Sequence, residues 1–274
     1  MSTVLIVGGG AREHALAWKL SQSPHVTRMI MVPGNAGMSK EWERWTVSLS
    51  EGREGFRELA RRARESEVSL AIIGPDNPLA EGIVDVFEEY DIRTFGPRAG
   101  AARIESSKAF AKEVMQAAGV ATARFWAANS ESEAIKILKS VPWFPGKGWV
   151  VKADGLALGK GVRVCQTQEE ALIAAHELFP VSGTLVIEEQ LQGKELSWMA
   201  FCDGSQCSLL EPARDYKRLL DGNLGPNTGG MGAFSPVEEI SPERAQEVRE
   251  TVFLPVLREM KKRELNFEAS SLLA

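Results

Sequence analysis

Lys152-Ala153-Asp154-Gly155-Leu156-Ala157-Leu158-Gly159-Lys160-Gly161-Val162 is the stretch on which the reading of this chain turns. An apolar run, Trp149-Val150-Val151, leads into Lys152 and reads as a strand that ends in a cation. A glycine loop with a second lysine follows, and Val162 opens another strand. Two ammonium groups beside bare backbone amides suit a polyphosphate. The spacing is not that of a Walker A loop: only three residues separate Gly155 from Gly159, and Gly161 stands where a hydroxyl residue belongs. A β-hairpin with an exposed basic tip is the competing reading of the same residues.

Farther along, Glu188-Glu189-Gln190-Leu191 closes a strand predicted over residues 184–188, and Glu195 follows a glycine-containing turn. A strand end of this kind can act as an adenine hinge. A carbonyl or carboxylate accepts from the exocyclic amine, a backbone N–H donates to the ring, and a later carboxylate takes ribose hydroxyls. Asp215-Tyr216-Lys217-Arg218 then precedes Gly225-Pro226-Asn227-Thr228-Gly229-Gly230-Met231-Gly232-Ala233. Residues 219–232 read as a glycine-rich loop whose amides can approach a ligand closely. Helices are predicted over 106–118, 130–139, 168–179 and 241–262, the second from the Ser130/Glu133 capping pair.

The first hundred residues alternate strand and helix. Residues 4–7, 29–32, 70–73 and 93–95 read as short buried strands, with helices over 13–20 and 54–64 and one opened by Asn77-Pro78. That order predicts an α/β doubly wound parallel sheet over residues 1–100, followed by a second, α+β domain over 101–274 with a small subdomain near 120–190. Gly8-Gly9-Gly10-Ala11-Arg12 follows the first strand and opens a helix, a place where amides cradle an anion. Position 13 is Glu rather than a small residue, and Val32-Pro33-Gly34-Asn35 carries no acid after the second strand. A nicotinamide or flavin cofactor is therefore disfavoured.

Composition narrows the class. With 274 residues, 44% of them apolar, and a net charge of −5, the chain suits a globular protein and not a basic nucleic-acid binder. No apolar stretch reaches the roughly 18 residues of a membrane span. The N-terminus enters a strand with no basic leader, so no signal peptide is expected. The three cysteines, Cys165, Cys202 and Cys207, are expected as free thiols in a cytoplasmic protein.

Taken together, these motifs resemble the glycinamide ribonucleotide synthetase (phosphoribosylamine–glycine ligase) family of the ATP-grasp superfamily. The matching stretches are GGGAREHA from Gly8, PGNAG from Pro33, GPDNPL from Gly74, GPRAGA from Gly96, ESSKAF from Glu105, KADGLALGKGV from Lys152, VIEE from Val186, DYKR from Asp215 and GPNTGGMGAFSP from Gly225. The resemblance implies a pre-ATP-grasp domain followed by an ATP-grasp domain. It also implies ATP-dependent joining of glycine to 5-phosphoribosylamine through a glycyl phosphate, in purine biosynthesis. Lys108 and Lys152 would hold ATP phosphates under a lid that includes Gly155, Gly159, Lys160 and Gly161. Glu188, Glu189, Gln190 and Leu191 would be the adenine hinge, and Glu195 would bind ribose. Asp215 and Lys217 would be catalytic-site residues. Gly9, Gly10, Asn35, Gly37, Asn227, Thr228, Gly229, Gly230, Met231 and Gly232 would line the phosphoribosylamine and glycine sites. The family binds Mg²⁺ through a segment like EFNxRFGDPE, which has no counterpart here, so no residue is assigned as a metal ligand. The apolar end, Ser270-Ser271-Leu272-Leu273-Ala274, comes where the family enters a core strand. The expectation is a fragment, a truncated product or a degenerate nucleotide-binding relative. By itself it would bind nucleotide weakly, make essentially no product and self-associate through an open sheet edge.

Overall fold

The computed structural model describes residues 2–142, 148–156, 161–222, 224–265, 267 and 270–273, the side chains of Pro226, Asn227 and residues 270–273 excepted. Gly159 and Lys160 of the predicted phosphate loop lie outside the described residues. The chain divides into two compact units, one built mainly from Met1–Arg103 and the other from Ile104–Phe201 and Ser205–Lys262.

The first unit runs β1 (Ser2–Gly8), α1 (Ala11–Ser21), β2 (Val26–Pro33), β3 (Glu43–Arg44), α2 (Arg53–Glu65), β4 (Leu70–Ile73), α3 (Asp76–Ala80), α4 (Ile83–Glu89) and β5 (Thr94–Phe95). The strands form one parallel sheet in the order β3-β2-β1-β4-β5. A strand apolar at every position needs burial on both faces, and β1 receives it. Leu5 and Val7 join Ile30, Val32 and Ile73 against Phe56 and Leu59 of α2 and Ile83 and Phe87 of α4. Val4 and Ile6 face the other way, with Met29, Met31 and Ile72, onto Ala17 of α1 and Met38. Strand order reverses between β1 and β4, so residues 8–10 and 74–75 flank the switch point where doubly wound sheets bind ligands.

The helix predicted from Asn77 differs in detail. Pro75 is its N-cap and Glu81 its C-cap, and Gly82, at φ +89°, is the N-cap of α4, so α3 and α4 are separate. Pro78 falls in the first turn, where an amide has no helical acceptor to lose.

The second unit continues from α5 (Ala99–Ser106) into α6 (Lys108–Ala117). The single helix predicted over 106–118 is thus two. Ser107 is extended, and its hydroxyl caps α6 by accepting from the Phe110 N–H. Next come β6 (Phe125–Ala128), α7 (Glu131–Ser140), β7 (Trp149–Ala153), β8 (Val162–Cys165), α8 (Gln168–Ser182) and β9 (Leu185–Glu189). The capping pair of α7 is present: Ser130 accepts from the Glu133 N–H, and Glu133 accepts from the Asn129 N–H. The four strands pair antiparallel in the order β6-β9-β7-β8, and Trp149, Val151, Leu185 and Ile187 pack on Leu138 of α7 and Ala171, Ala174 and Leu178 of α8.

Beyond lie β10 (Met199–Cys202), β11 (Cys207–Leu209), β12 (Arg214–Leu220), β13 (Leu224–Phe234), α9 (Pro242–Val248), α10 (Leu254–Lys262) and β14 (Ser270–Leu273). Most of the glycine-rich loop predicted over 219–232 is instead strand, residues 219–220 ending β12 and residues 224–232 lying in β13. β13 pairs antiparallel with β12 through Asp215↔Ala233, Tyr216↔Gly232 and Arg218↔Asn227, with two register shifts. Backbone pairing satisfies the amides whatever the side chains are, and the register shifts are bulges of the kind glycine accommodates. The helix predicted over 241–262 is interrupted by a π turn at Arg249–Phe253. Pro255 is the physical reason, because its ring displaces the carbonyl four residues earlier and a wider turn relieves the clash. β14 stands at an edge of the three-stranded sheet β11-β10-β14, so Leu272 and Leu273 belong to an edge strand.

Phe56 has no exposed surface, and its removal leaves a cavity beneath β1. Phe56→Ala should cost about 3–5 kcal/mol in urea unfolding, whereas a loss under 1 kcal/mol would show that the two helices repack freely. All three cysteines are buried and form no disulfide, and burial pushes the Cys165 thiol up to about 11. Native protein at pH 8 should leave an aromatic disulfide reagent essentially unreacted, and denatured protein should titrate all three thiols.

Candidate functional site

Among the described residues of the stretch 152–162, Asp154 has a definite structural use. Its carboxylate accepts from the Ser107 hydroxyl at 2.9 Å and from the Ala109 N–H at 3.1 Å. This ties the start of the glycine loop to the N-terminus of α6, where a carboxylate is favoured by the helix dipole. Lys108 is thereby brought to the loop, and its Nζ donates to the Gly155 carbonyl at 2.7 Å. Gly155 sits at φ +88°, a conformation that favours glycine, and Gly161 closes the loop base by accepting from the Ala153 N–H at 2.8 Å. Lys108 is held below the usual lysine range, first by burial and then by the Lys152 ammonium, with Asp154 opposing. A lysine destabilised by its own surroundings gains most from an incoming anion.

Lys152 does not stand alone. Its Nζ lies 2.7 Å from Glu188 Oε1, while Glu188 Oε2 meets Lys112 Nζ at 2.7 Å. Lys112 and Glu188 are both buried, and Lys152 is about a quarter exposed. Lys112 also donates to the Thr122 hydroxyl at 2.7 Å. Glu188, predicted as a hinge residue, is therefore the counter-ion of two lysines.

The rest of the predicted hinge is partly engaged within the protein. Glu189 pairs with Arg124 at 3.1 Å, and the Gln190 N–H donates to the Gly148 carbonyl at 2.9 Å. Gln190 Oε1 accepts from the Gly148 N–H, and Leu191 is exposed.

The β12–β13 hairpin gathers a second group. Lys217 Nζ donates to Glu195 at 2.9 Å and lies 3.7 Å from Asp215. Glu195, with Asp215 adding to it, raises the Lys217 ammonium above the usual lysine range. Asp215 Oδ1 is buried and accepts no hydrogen bond. Thr228 donates to the Lys217 carbonyl at 2.8 Å and accepts from the Gly230 N–H. Asn227 lies on β13, and Met231 is exposed. A Cβ added at Gly229, Gly230 or Gly232 would meet nothing within 4 Å. Crowding within the chain therefore does not require glycine at these three positions.

In the first unit, Asn35 donates to the Gly9 carbonyl at 2.9 Å and accepts from the Gly37 N–H at 2.8 Å, so three of the four predicted residues meet. Gly10 does not offer its amide as predicted. It donates to Glu13 Oε2 at 2.7 Å, and the other Glu13 oxygen takes Arg12 at 3.1 Å. The buried Glu13 side chain fills the space where a Cβ on Gly8 or Gly74 would be. An open polar cleft of about 710 Å³ on this unit, lined by Ser48, Glu54, Arg57, Glu58, Arg61 and Tyr90 among others, holds none of the predicted residues.

Among the described residues, no three His, Cys, Asp or Glu side chains converge so as to hold a metal ion. Lys112, Asp154 and Ser107 carry the geometry yet were not singled out from sequence. The available signal was the spacing of Lys112, four residues after Lys108 and so on the same helix face.

Residues 2–105 match the phosphoribosylglycinamide synthetase N domain, and residues 106–272 match the ATP-grasp (A) domain of the same synthetase. The chain is 42% identical over 265 residues to a phosphoribosylamine–glycine ligase of Ralstonia nicotianae, covering 94% of this chain and 61% of that one. It is 44% identical over 265 residues to the trifunctional purine biosynthetic protein adenosine-3 of Gallus gallus, covering 94% of this chain and 26% of that protein. A crystal structure of phosphoribosylamine–glycine ligase from Thermotoga maritima superposes with a TM-score of 0.80 at 32% identity, over 99% of this chain and 64% of that one. The chain thus spans about three fifths of the length of the bacterial ligases it matches. No helix among the described residues is long and apolar enough to cross a membrane. With both domain matches in sequence order over nearly its whole length, the chain belongs to the phosphoribosylglycinamide synthetase family.

Proposed function

We propose that this chain carries the nucleotide and substrate sites of an ATP-dependent carbon–nitrogen ligase that joins glycine to 5-phosphoribosylamine. The observation that carries the reading is Lys108 on the Gly155 carbonyl, with the Lys152 ammonium, paired to Glu188, near enough for its charge to act on Lys108. In the reaction a glycine carboxylate oxygen takes the γ-phosphoryl group, and the bond to the β-phosphate breaks, releasing ADP. The amine of phosphoribosylamine then attacks the acyl carbon. Its C–N bond forms, the C–O bond to phosphate breaks, and the amine proton leaves to phosphate or solvent.

Neither step needs a protein nucleophile, so positioning and electrostatics supply the rate. Lys108 and Lys152 bind the phosphates, with Gly155 and Gly161 shaping the loop beside them. The strand end at Glu189, Gln190 and Leu191 receives the adenine, next to Glu188, which balances the two lysines. Glu195 and Lys217 form a pair that can exchange partners, Glu195 toward ribose hydroxyls and Lys217 toward an anion. The unpartnered Asp215 oxygen is an acceptor for an amine or hydroxyl of a substrate. The open backbone at Gly229, Gly230 and Gly232 lets a small amino acid or sugar phosphate come close. Asn35 and Gly37 would hold the phosphoribosylamine side, with Glu13 keeping the turn closed to a dinucleotide. Among the described residues, the acidic side chains do not converge on a magnesium site.

A charge-assisted phosphate contact contributes about 1.5–3 kcal/mol, so Lys152→Ala should weaken ATP roughly 10- to 100-fold by calorimetry. Equal binding by wild type and variant would refute the site. ADP release by this chain joined to the remaining part of a family ligase should require glycine and phosphoribosylamine together and should fall at least about 10-fold in Lys152→Ala. Release that ignores both substrates would instead identify a plain nucleotidase. NAD and FAD should show no binding in an equilibrium dialysis experiment, since Glu13 occupies the Gly10 amide; NAD affinity lost in Gly10→Val would overturn this.

A further inference from the structure

Glu188 is buried, carries one negative charge and is shared between two ammonium groups of unlike exposure. Lys112 is sealed off: it is buried on α6, bound to the Thr122 hydroxyl, and lies 5.8 Å over the Phe125 ring. It cannot reach a ligand in the loop without abandoning these contacts. Lys152 is the partly exposed member. Its Nζ lies 2.7 Å from Glu188 Oε1. That contact engages at most one of its three N–H donors, so the same ammonium can also meet an anion on its exposed side.

Suppose Lys112 were absent. A lone buried Glu188 would need Lys152 as its whole counter-ion, and the pair would present no net charge. With Lys112 present, the trio carries one net positive charge, and that charge sits on its accessible side. We propose that Lys112 is a positioning residue: it neutralises Glu188 from the interior and so keeps the Lys152 ammonium available to a nucleotide phosphate it never touches itself. The proposal rests on the nucleotide site described above and goes beyond it in assigning phosphate affinity to a buried residue outside the loop.

The test is calorimetric titration of the full chain with inorganic tripolyphosphate, which has no adenine to involve the hinge. The variants are Lys112→Gln, Lys112→Arg, Glu188→Gln and the double variant K112Q/E188Q. Affinity should follow the net charge of the trio rather than the number of substitutions. Lys112→Gln should weaken tripolyphosphate about 5- to 10-fold, and Glu188→Gln should strengthen it about 5-fold. Lys112→Arg and the double variant, whose trios keep the wild-type charge, should fall within about 3-fold of wild type. A packing role would instead make the double variant the weakest of all. Unchanged affinity in Lys112→Gln, or a double variant no better than Lys112→Gln, overturns the proposal. Should Lys112→Gln fail to fold, the comparison of Glu188→Gln with wild type decides, and no gain in affinity overturns it. Lys152→Ala is the control for the site itself. If it binds tripolyphosphate as wild type does, the nucleotide site is misplaced. If it alone is weakened, only the role of Lys112 falls.

Discussion

Glu188 is the penultimate residue of β9, a strand hydrogen-bonded on both sides, between β6 and β7, and its carboxylate is almost wholly out of water. An isolated charge there would cost several kcal/mol, so the surrounding structure must supply cations. It draws one from β7, through Lys152, and one from α6, through Lys112. Because Lys112 and Lys108 are one helical turn apart, fixing Lys112 on Glu188 also fixes which way Lys108 projects. The loop then has to meet Lys108, which it does through the Gly155 carbonyl, with Asp154 clamped on the α6 N-terminus. One buried charge thus orients strand, helix and loop in the ATP-grasp unit.

The first unit reaches a comparable result by itself. Glu13 is buried at the start of α1 and occupies space that three glycines, at 8, 10 and 74, leave open. Its two oxygens hold the Gly10 amide and Arg12, and Arg12 reaches Asp76 at 3.7 Å. A glycine turn that in a dinucleotide fold is shaped around a pyrophosphate is here shaped around a carboxylate of the chain. The turn is therefore formed before any ligand arrives, and its remaining polarity comes from Asn35 on the neighbouring Gly9 carbonyl.

Much of this was legible in the sequence because it depended on apolar pattern or on local chemistry. The uniformly apolar β1, the Ser130 cap and the paired strands around Lys152 all follow from rules that act within a few residues. What was not legible depended on competition between neighbours. Ser107 could continue a helix or cap one, and Asp154, some fifty residues away, decides the matter by accepting its hydroxyl. Pro255 sits inside an amphipathic run, and only the packed helix shows that the chain widens by a π turn rather than stopping. The hairpin was missed because glycine density resembles a loop whenever backbone pairing, which leaves no mark in side-chain pattern, is the real organiser. Lys112 was missed because an isolated lysine on a helix usually reads as solvated.

That hairpin also bears on how function and fold divide the sequence between them. Within a strand, glycine weakens packing and adds backbone entropy to the unfolded chain. Crowding explains some glycines of this chain, as at Gly9, where a Cβ would strike the Gly34 carbonyl. At Gly229 and Gly232 neither crowding nor a positive φ accounts for the residue. Exposed Tyr216, Met231 and Phe234 lie on the same two strands. A surface that gives up strand propensity and leaves aromatic side chains in water is costly as architecture alone. Its composition makes physical sense once a ligand must lie directly against the main chain, as the proposed reaction would require.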